Sequence, residues 1–227
     1  MNNKVFLISM IVFITCIIIS IVSLRNDYLL SFSKENKTDL VFEKYDFIEN
    51  TEFSYHNTSV RNKKIEYIVI HYTGLPVEAI GFLDYFNRKT SLHSSADYFV
   101  EIDGTIYQYN MEIEKRYSWA VGDEKNETLG GKLYGKVTNE NSISIEMCVD
   151  SSSNLEANDI NWKLSGETIE STKILVNKLM KQYNISEENV IRHYDVSGKL
   201  CPGIVGWNLD SGSEEEWIKF KIKLGVL

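Results

Sequence analysis

The sequence predicts an α/β domain in which helices flank a central mixed β-sheet, preceded by one N-terminal transmembrane helix. Short apolar runs rich in β-branched residues alternate along the chain with segments of helical spacing, and Asp103-Gly104 separates two runs of alternating apolar residues. An uncharged apolar run near the start predicts the membrane helix. With 227 residues, 43% of them hydrophobic and 25% charged, the composition is that of one globular domain plus extra chain.

The apolar run covers residues 5–24 and contains no charged side chain. At about 1.5 Å per helical residue, a run of this length spans the roughly 30 Å of a bilayer core. Because no convincing signal-peptidase site follows it, we expect an uncleaved single-pass anchor; cleavage would instead make the domain a secreted one. The sequence therefore divides into an anchor at 1–24, a tether and domain-packing segment at 25–60, and a compact domain at 61–227.

The first half of the compact domain contains a strand, a helix, a hairpin and a loop. Residues 65–71 form a short apolar run that predicts a buried strand with His71 at its C-terminal end. Residues 76–89 have helical spacing, and residues 97–110 predict a β-hairpin. The glycines in 119–139 predict a loop.

The second half repeats the alternation of strand and helix. Residues 141–150 alternate between an apolar face and a polar face, and Glu146 lies on the polar face. Residues 165–184 predict a long helix capped by Ser165, residues 188–203 a short strand and a loop, and residues 214–224 a final amphipathic helix.

Charge and cysteine content exclude two classes of function. Asp+Glu outnumber Lys+Arg by 32 to 24, a net charge of -8, so nothing attracts the chain to nucleic acid. Three cysteines are too few for a disulfide-stapled scaffold. Cys148 is interpreted as a buried thiol, and a disulfide with Cys201 stays open as the alternative.

His71, His193 and Cys201 each lie at a predicted strand end or in a loop, where they could share a metal ion. Imidazole and thiolate are ligands that zinc prefers, and three protein ligands plus a water are typical of a catalytic zinc site. Spacing alone leaves ordinary packing open for each residue, because no H-x-x-H or C-x-x-C pair brings two ligands together in sequence.

Several segments, taken in order, resemble the zinc-dependent N-acetylmuramoyl-L-alanine amidases. This fold family includes phage lysozyme-type amidases, bacterial autolysins and peptidoglycan recognition proteins. The resemblance extends from Arg61 to the C-terminus, and its most specific part is HYDVSGKLCPG, where a lysine stands two residues before the cysteine. The matching segments are IEYIVIHYTG, DYFVEIDGTIYQ, WAVGD, NSISIEMC and RHYDVSGKLCPG.

The resemblance, which is to the autolysin-like branch, implies that His71, His193 and Cys201 bind Zn2+ with water in the fourth position. It implies that Glu146 transfers the proton from that water to the leaving amine, and that Lys199 stabilises the oxyanion. The implied substrate is peptidoglycan, cleaved between the lactyl group of N-acetylmuramic acid and L-alanine.

Two departures from the family pattern lie in the implied substrate region. Ser95-Ala96-Asp97-Tyr98 stands where many relatives have Ser-Ala-His-Tyr, and Trp119 is followed by Ala120 where many have histidine. The catalytic tyrosine of the phage lysozyme-type branch falls on Ala96, so Glu146 is expected to act instead. Asp97, Tyr98 and Trp119 are expected to contact substrate, although core packing remains an alternative for the two aromatic residues.

Three functions are compatible with these residues. A peptidoglycan hydrolase is favoured because both Cys201 and Glu146 are present, and its substrate would place the anchored domain outside the cytoplasmic membrane. The first alternative is a receptor that binds muropeptides without cutting them. The second is a cysteine peptidase that uses Cys201 with His193. We expect the chain to be a monomer.

Overall fold

The computed structural model describes residues 44–88, 94–122, 131–150, 162–203 and 213–227. Within these ranges, no helix combines the length and apolar character needed to cross a membrane. The predicted anchor at 5–24 and the first part of the predicted tether lie outside the described residues. One compact unit extends from Tyr45 to Leu227.

A mixed six-stranded sheet forms the centre of this unit, in the order β1-β5-β4-β7-β3-β8. Strands β3, β4, β7 and β8 are parallel, β5 is antiparallel to β4, and β1 is parallel to β5. Strands β2 and β6 form a separate antiparallel pair. The strands are β1 Phe47–Glu49, β2 Thr58–Val60, β3 Tyr67–Tyr72, β4 Tyr98–Val100, β5 Ile106–Gln108, β6 Arg116–Ser118, β7 Ser142–Met147 and β8 Val190–Arg192.

The helices confirm the three helical predictions and add a short one. The Ser165 side chain caps the long helix by accepting a hydrogen bond from the Thr168 backbone N–H, as predicted. The unpredicted helix is a single turn that begins at His193, where the sequence predicted loop. The helices are α1 Ala79–Asn87, α2 Gly166–Tyr183, α3 His193–Ser197 and α4 Glu214–Leu224.

Strand β7 lies inside the sheet, between β3 and β4, and five of its six residues are buried. Its apolar residues are fully buried, as the alternation predicted. Its polar face is also covered, since Ser142 and Ser144 are each 3% exposed. The predicted hairpin is confirmed by the antiparallel pairing of β4 with β5.

The two faces of the sheet carry different helices. Phe99 of β4 is in register with Glu146 of β7, which is in register with His71 of β3, so these three side chains share one face. Phe99 packs in one cluster with Leu83 and Phe86 of α1. Helix α1 therefore covers the face that carries His71 and Glu146.

Residues 45–60 belong to the compact unit. Strand β1 extends the sheet through β5, and β2 pairs with β6. The Asn57 side chain donates a 2.6 Å hydrogen bond to the Phe86 carbonyl at the end of α1. The structural unit thus begins before Arg61, the start predicted for the compact domain.

Candidate metal centre

The fold brings together the three residues that the sequence singled out as metal ligands. One ligand atom from each of His71, His193 and Cys201 lies within 4.8 Å of the others, and all three residues are buried. The Cys201 Sγ is 3.8 Å from the His71 Nδ1, and the two imidazole rings have centroids 4.6 Å apart. Because β3 and β8 are adjacent and parallel, their carboxyl ends meet at one edge and place these side chains together.

Arg192 and Asp195 fix the short helix that begins at His193. The Arg192 side chain, 1% exposed, donates two hydrogen bonds to the Asp195 carboxylate, at 2.9 and 2.6 Å. The Asp195 carboxylate also accepts the Arg192 backbone N–H at 3.1 Å. Arg192 further bonds Glu214 at 2.8 Å, which ties the start of α4 to α3. This pair was not predicted from the sequence, where its signal is an arginine three residues before an aspartate around His193.

The free nitrogens of the two histidines fit a metal ion. The His193 Nε2 is 2.7 Å from the Val121 carbonyl oxygen. Since a carbonyl can only accept, Nε2 carries the hydrogen and Nδ1 keeps its lone pair. Both His193 Nδ1 and His71 Nε2 are buried without a hydrogen-bond partner among the described residues. Unpaired buried nitrogens are rare in folded proteins, and coordination through Nδ1 would satisfy that of His193. For His71, the nitrogen that faces the Cys201 Sγ is Nδ1, at 3.8 Å.

Burial controls the ionisation of all three side chains. It lowers the pKa of His193 to about 4 and that of His71 well below its ordinary value, so both imidazoles are neutral at pH 7. Burial, together with the nearby Glu146, raises the pKa of the Cys201 thiol. A thiolate here requires a cation in the site, and two neutral imidazoles with one thiolate form a donor set that suits zinc.

The ring of Tyr72 packs against the segment that carries Cys201. It is 5% exposed and packs in one cluster with Cys201 and Trp162. A Cβ at Gly203 would lie only 2.7 Å from this ring, and one at Gly74, where φ is +57°, would lie 3.2 Å from it. Both glycines are therefore required for the close approach of the backbone to the ring.

Glu146 lies beside the cluster, on the same face of the sheet as His71. Its Oε1 is 3.8 Å from the His71 Nδ1, and its Oε2 is buried without a partner among the described residues. The side chain is 20% exposed. Burial raises the pKa of this carboxyl to about 8, against the opposing effect of Lys199.

Lys199 is exposed, and its charge acts on the whole site. It lowers the pKa values of His71, His193, Glu146 and Cys201, although burial is the largest cause of the shift in each. A cation in this position favours negative charge in the site.

Asp97 does not occupy the position expected of a substrate-contacting residue. It is 1% exposed, and its carboxylate accepts four hydrogen bonds. The donors are the side chains of Asn110, Ser118 and Ser144 and the Ser144 backbone N–H, at 2.8 to 3.0 Å. Asp97 is therefore a buried structural carboxylate that joins β7 to β6 and the loop after β5.

Tyr98 also differs from expectation, whereas the expected substrate contact of Trp119 stays a prediction. Tyr98 alternates with Phe99 and so lies on the sheet face opposite His71, where it lines a cleft of about 480 Å³ with Leu175 and Leu179 of α2. Substrate at His71 cannot stack on it from that face. Trp119 is partly buried, and its indole N–H donates a 2.9 Å hydrogen bond to the Ser59 hydroxyl.

The thiols of Cys148 and Cys201 are free and buried, so the alternative of a disulfide between them is excluded. Cys148 packs in the apolar cluster of α1 and β4.

A mixed sheet that gathers two histidines, a cysteine and a carboxylate at one edge is the arrangement of a metal-dependent hydrolase. Sequence comparison is more specific, because residues 61–204 match the profile of the N-acetylmuramoyl-L-alanine amidase family. The chain belongs to this family.

Similar proteins agree with this assignment. The N-acetylmuramoyl-L-alanine amidase CwlL of Bacillus licheniformis is 35% identical over 153 residues, which are 63% of this chain and 37% of CwlL. The amidase CwlH of Bacillus subtilis is 30% identical over 116 residues, 51% of this chain and 36% of CwlH. The chain thus matches only about a third of the length of these relatives.

Solved structures share the fold. A mutant endolysin from Bacillus subtilis superposes with a TM-score of 0.57 at 23% identity, over 80% of this chain and 99% of the endolysin. The structure of PlyL superposes with a TM-score of 0.54 at 25% identity, over 79% of this chain and 94% of PlyL.

Proposed function

We propose that this chain is a zinc-dependent N-acetylmuramoyl-L-alanine amidase. It hydrolyses the amide bond between the lactyl group of N-acetylmuramic acid and L-alanine in peptidoglycan. One observation carries the proposal: in a chain of this family, His71, His193 and Cys201 form a buried cluster with the Glu146 carboxylate 3.8 Å from His71.

The side chains of the site suit hydrolysis of an amide. When bound by the three ligands, zinc supplies a Lewis acid that polarises the scissile carbonyl and lowers the pKa of water. A cation held by the three ligands would lower the pKa of the neighbouring Glu146 carboxyl. The ionised carboxylate takes a proton from the attacking water and delivers it to the nitrogen of the leaving amine. Its Oε2, which lacks a partner among the described residues, is available to hold that water. Lys199 stabilises the negative charge that develops on the carbonyl oxygen.

The two alternative functions are less well supported. A muropeptide receptor without activity would be expected to lack a ligand or the carboxylate, whereas all four are present. A cysteine peptidase needs an accessible thiolate, but burial raises the pKa of Cys201, which is 2% exposed.

We also propose that the protein is a monomer attached to the cell membrane by residues 5–24, with its catalytic domain on the outer side. The uncharged apolar run supports an anchor, and the position of the substrate outside the membrane supports this orientation. Anchoring raises the concentration of enzyme close to newly made wall.

Digestion of purified peptidoglycan tests the proposed function. The full chain, purified in detergent, is incubated with peptidoglycan with and without a chelator, and products are analysed by mass spectrometry. Stem peptides with a new N-terminal L-alanine, released only without chelator, are the expected products. Binding to the wall without cleavage would support the receptor instead, and cleavage of another bond would overturn the assignment of the reaction.

A further inference from the structure

The orientation of His193 depends on a backbone carbonyl in a distant loop. Its ring donates to the Val121 carbonyl oxygen at 2.7 Å across 72 residues of sequence. This bond selects the tautomer that leaves Nδ1 free, and it fixes the rotation of the ring. The position of the Val121 carbonyl therefore matters for any metal bound by His193.

The side chain of Asn139 holds that carbonyl in place. Its amide oxygen accepts hydrogen bonds from two consecutive backbone N–H groups, those of Ala120 at 3.0 Å and Val121 at 2.7 Å. Two bonds to one oxygen fix both peptide planes that precede the Val121 carbonyl. Val121 is also buried, at 1% exposed, among apolar side chains that include Val69.

Asn139 is itself held firmly. It begins the 3-10 turn Asn139–Asn141, where the Thr138 and Asn141 side chains form a reciprocal cap. The buried Arg61 guanidinium donates to the carbonyl of Glu140, in the middle of this turn, and to that of Ser142, directly after it. The turn leads directly into β7, the strand that carries Glu146. One rigid turn thus supports both the orientation of His193 and the strand of the candidate base.

We infer that Asn139 is a positioning residue for the metal site, acting on His193 through the Val121 carbonyl. The inference rests on the proposed function in one respect, the role of His193 as a zinc ligand. Hydrogen-bond partners behind a metal ligand typically contribute 10 to 100-fold to metal affinity. In the described part of the chain, the two hydrogen bonds that the Asn139 amide oxygen accepts come from the backbone N–H groups of Ala120 and Val121.

Zinc affinity and the His193 tautomer test this inference in the full-length protein. Asn139→Ala removes the acceptor, and Asn139→Asp keeps an oxygen in its place. Asn189→Ala is the matched control, since Asn189 is also partly buried and makes one long-range side-chain bond, 3.0 Å to the Glu66 carbonyl, away from the site. Zinc affinity is measured by competition with a chromophoric chelator, and the tautomer by nitrogen NMR of the histidine rings in zinc-free protein.

We expect Asn139→Ala to bind zinc about 10 to 100-fold more weakly and to show mixed His193 tautomers. Asn139→Asp and Asn189→Ala should behave like the parent in both measurements. Parental affinity in Asn139→Ala, or an equal loss in Asn189→Ala, would overturn the inference. If Asn139→Ala does not fold, Asn139→Ser, whose hydroxyl is too short to reach both N–H groups, replaces it.

The two proposals fail in different ways. A parent protein that binds no zinc would overturn the proposed function. The tautomer measurement would still decide the inference, because a parent with mixed His193 tautomers would refute it without reference to metal.

Discussion

Replacing Glu146 with glutamine separates proton transfer from metal binding. Glutamine has nearly the same shape and keeps an oxygen to face His71, but it cannot accept a proton at neutral pH. Glu146 is not one of the three clustered ligands, so Glu146→Gln should retain the parental zinc content. Its Oε2 makes no hydrogen bond to the described residues, so the exchange breaks no observed bond in the protein.

The expected loss is therefore in turnover. Loss of a proton-transfer group lowers kcat by about 10² to 10⁴-fold, which corresponds to about 2.7 to 5.5 kcal/mol of transition-state stabilisation. The stability of the zinc-free protein should change little, because burial without a cation raises the pKa of this carboxyl to about 8 and the amide resembles its neutral form.

The assay measures kcat and KM on a soluble muropeptide, with zinc content by elemental analysis of the same samples. Glu140→Gln is the matched control, since the Glu140 side chain is 23% exposed against 20% for Glu146 and pairs with Lys63 rather than with the cluster. Nearly parental turnover in Glu146→Gln would refute its role as base. Asp97 would not be the substitute, because its carboxylate is fully occupied by four donors.

The remaining predictions concern the ligands, the cation and the buried carboxylate. Cys201→Ser should lose both bound zinc and activity, because a neutral hydroxyl is a poor replacement for a thiolate; zinc content at the parental level would remove Cys201 from the site. Lys199→Gln should lower kcat by up to roughly 10²-fold with parental zinc content, and an unchanged kcat would exclude the proposed oxyanion role. Asp97→Asn should lower the free energy of unfolding by about 2–3 kcal/mol in urea titrations, because one carboxylate oxygen that accepts two hydrogen bonds is lost. The zinc affinity of this variant should not change. A variant of parental stability with reduced activity would instead favour a role of Asp97 in substrate binding. Removing zinc with a chelator should lower the free energy of unfolding by about 2.7 kcal/mol relative to protein held at a zinc concentration of 100 times Kd. Equal melting temperatures with and without zinc would argue against a specific site.

Local patterns were sufficient for most of the helices and for the hairpin, whereas the choice of the three candidate ligands also needed the family resemblance. The three long helices follow from apolar spacing and caps such as Ser165, and the hairpin follows from Asp103-Gly104. The three clustered ligands were found because they terminate predicted strands or follow them, and the order of the family segments supported the choice.

Non-local pairing explains what the sequence did not predict. Alternation shows that Ser144 and Glu146 share a face, but only the tertiary packing on that face, including helix α1 and the carboxylate of Asp97, determines that Ser144 is buried. Tyr98 follows Asp97 directly, yet the register of β4 turns its side chain to the opposite face from His71. Asp97 was interpreted as a substrate contact because the residues that satisfy it lie 13 to 47 positions away in sequence.

The ring of Tyr72 has a consequence for how this site can vary. It occupies the space that a side chain at position 203 would need, so the size of one aromatic residue limits how closely the segment that carries Cys201 can pack against β3. A larger residue at 203 alone would push the cysteine segment outward, and a smaller residue at 72 alone would leave a void. The two positions should therefore be coupled energetically, and a side chain at 203 should be accepted only together with a smaller residue at 72.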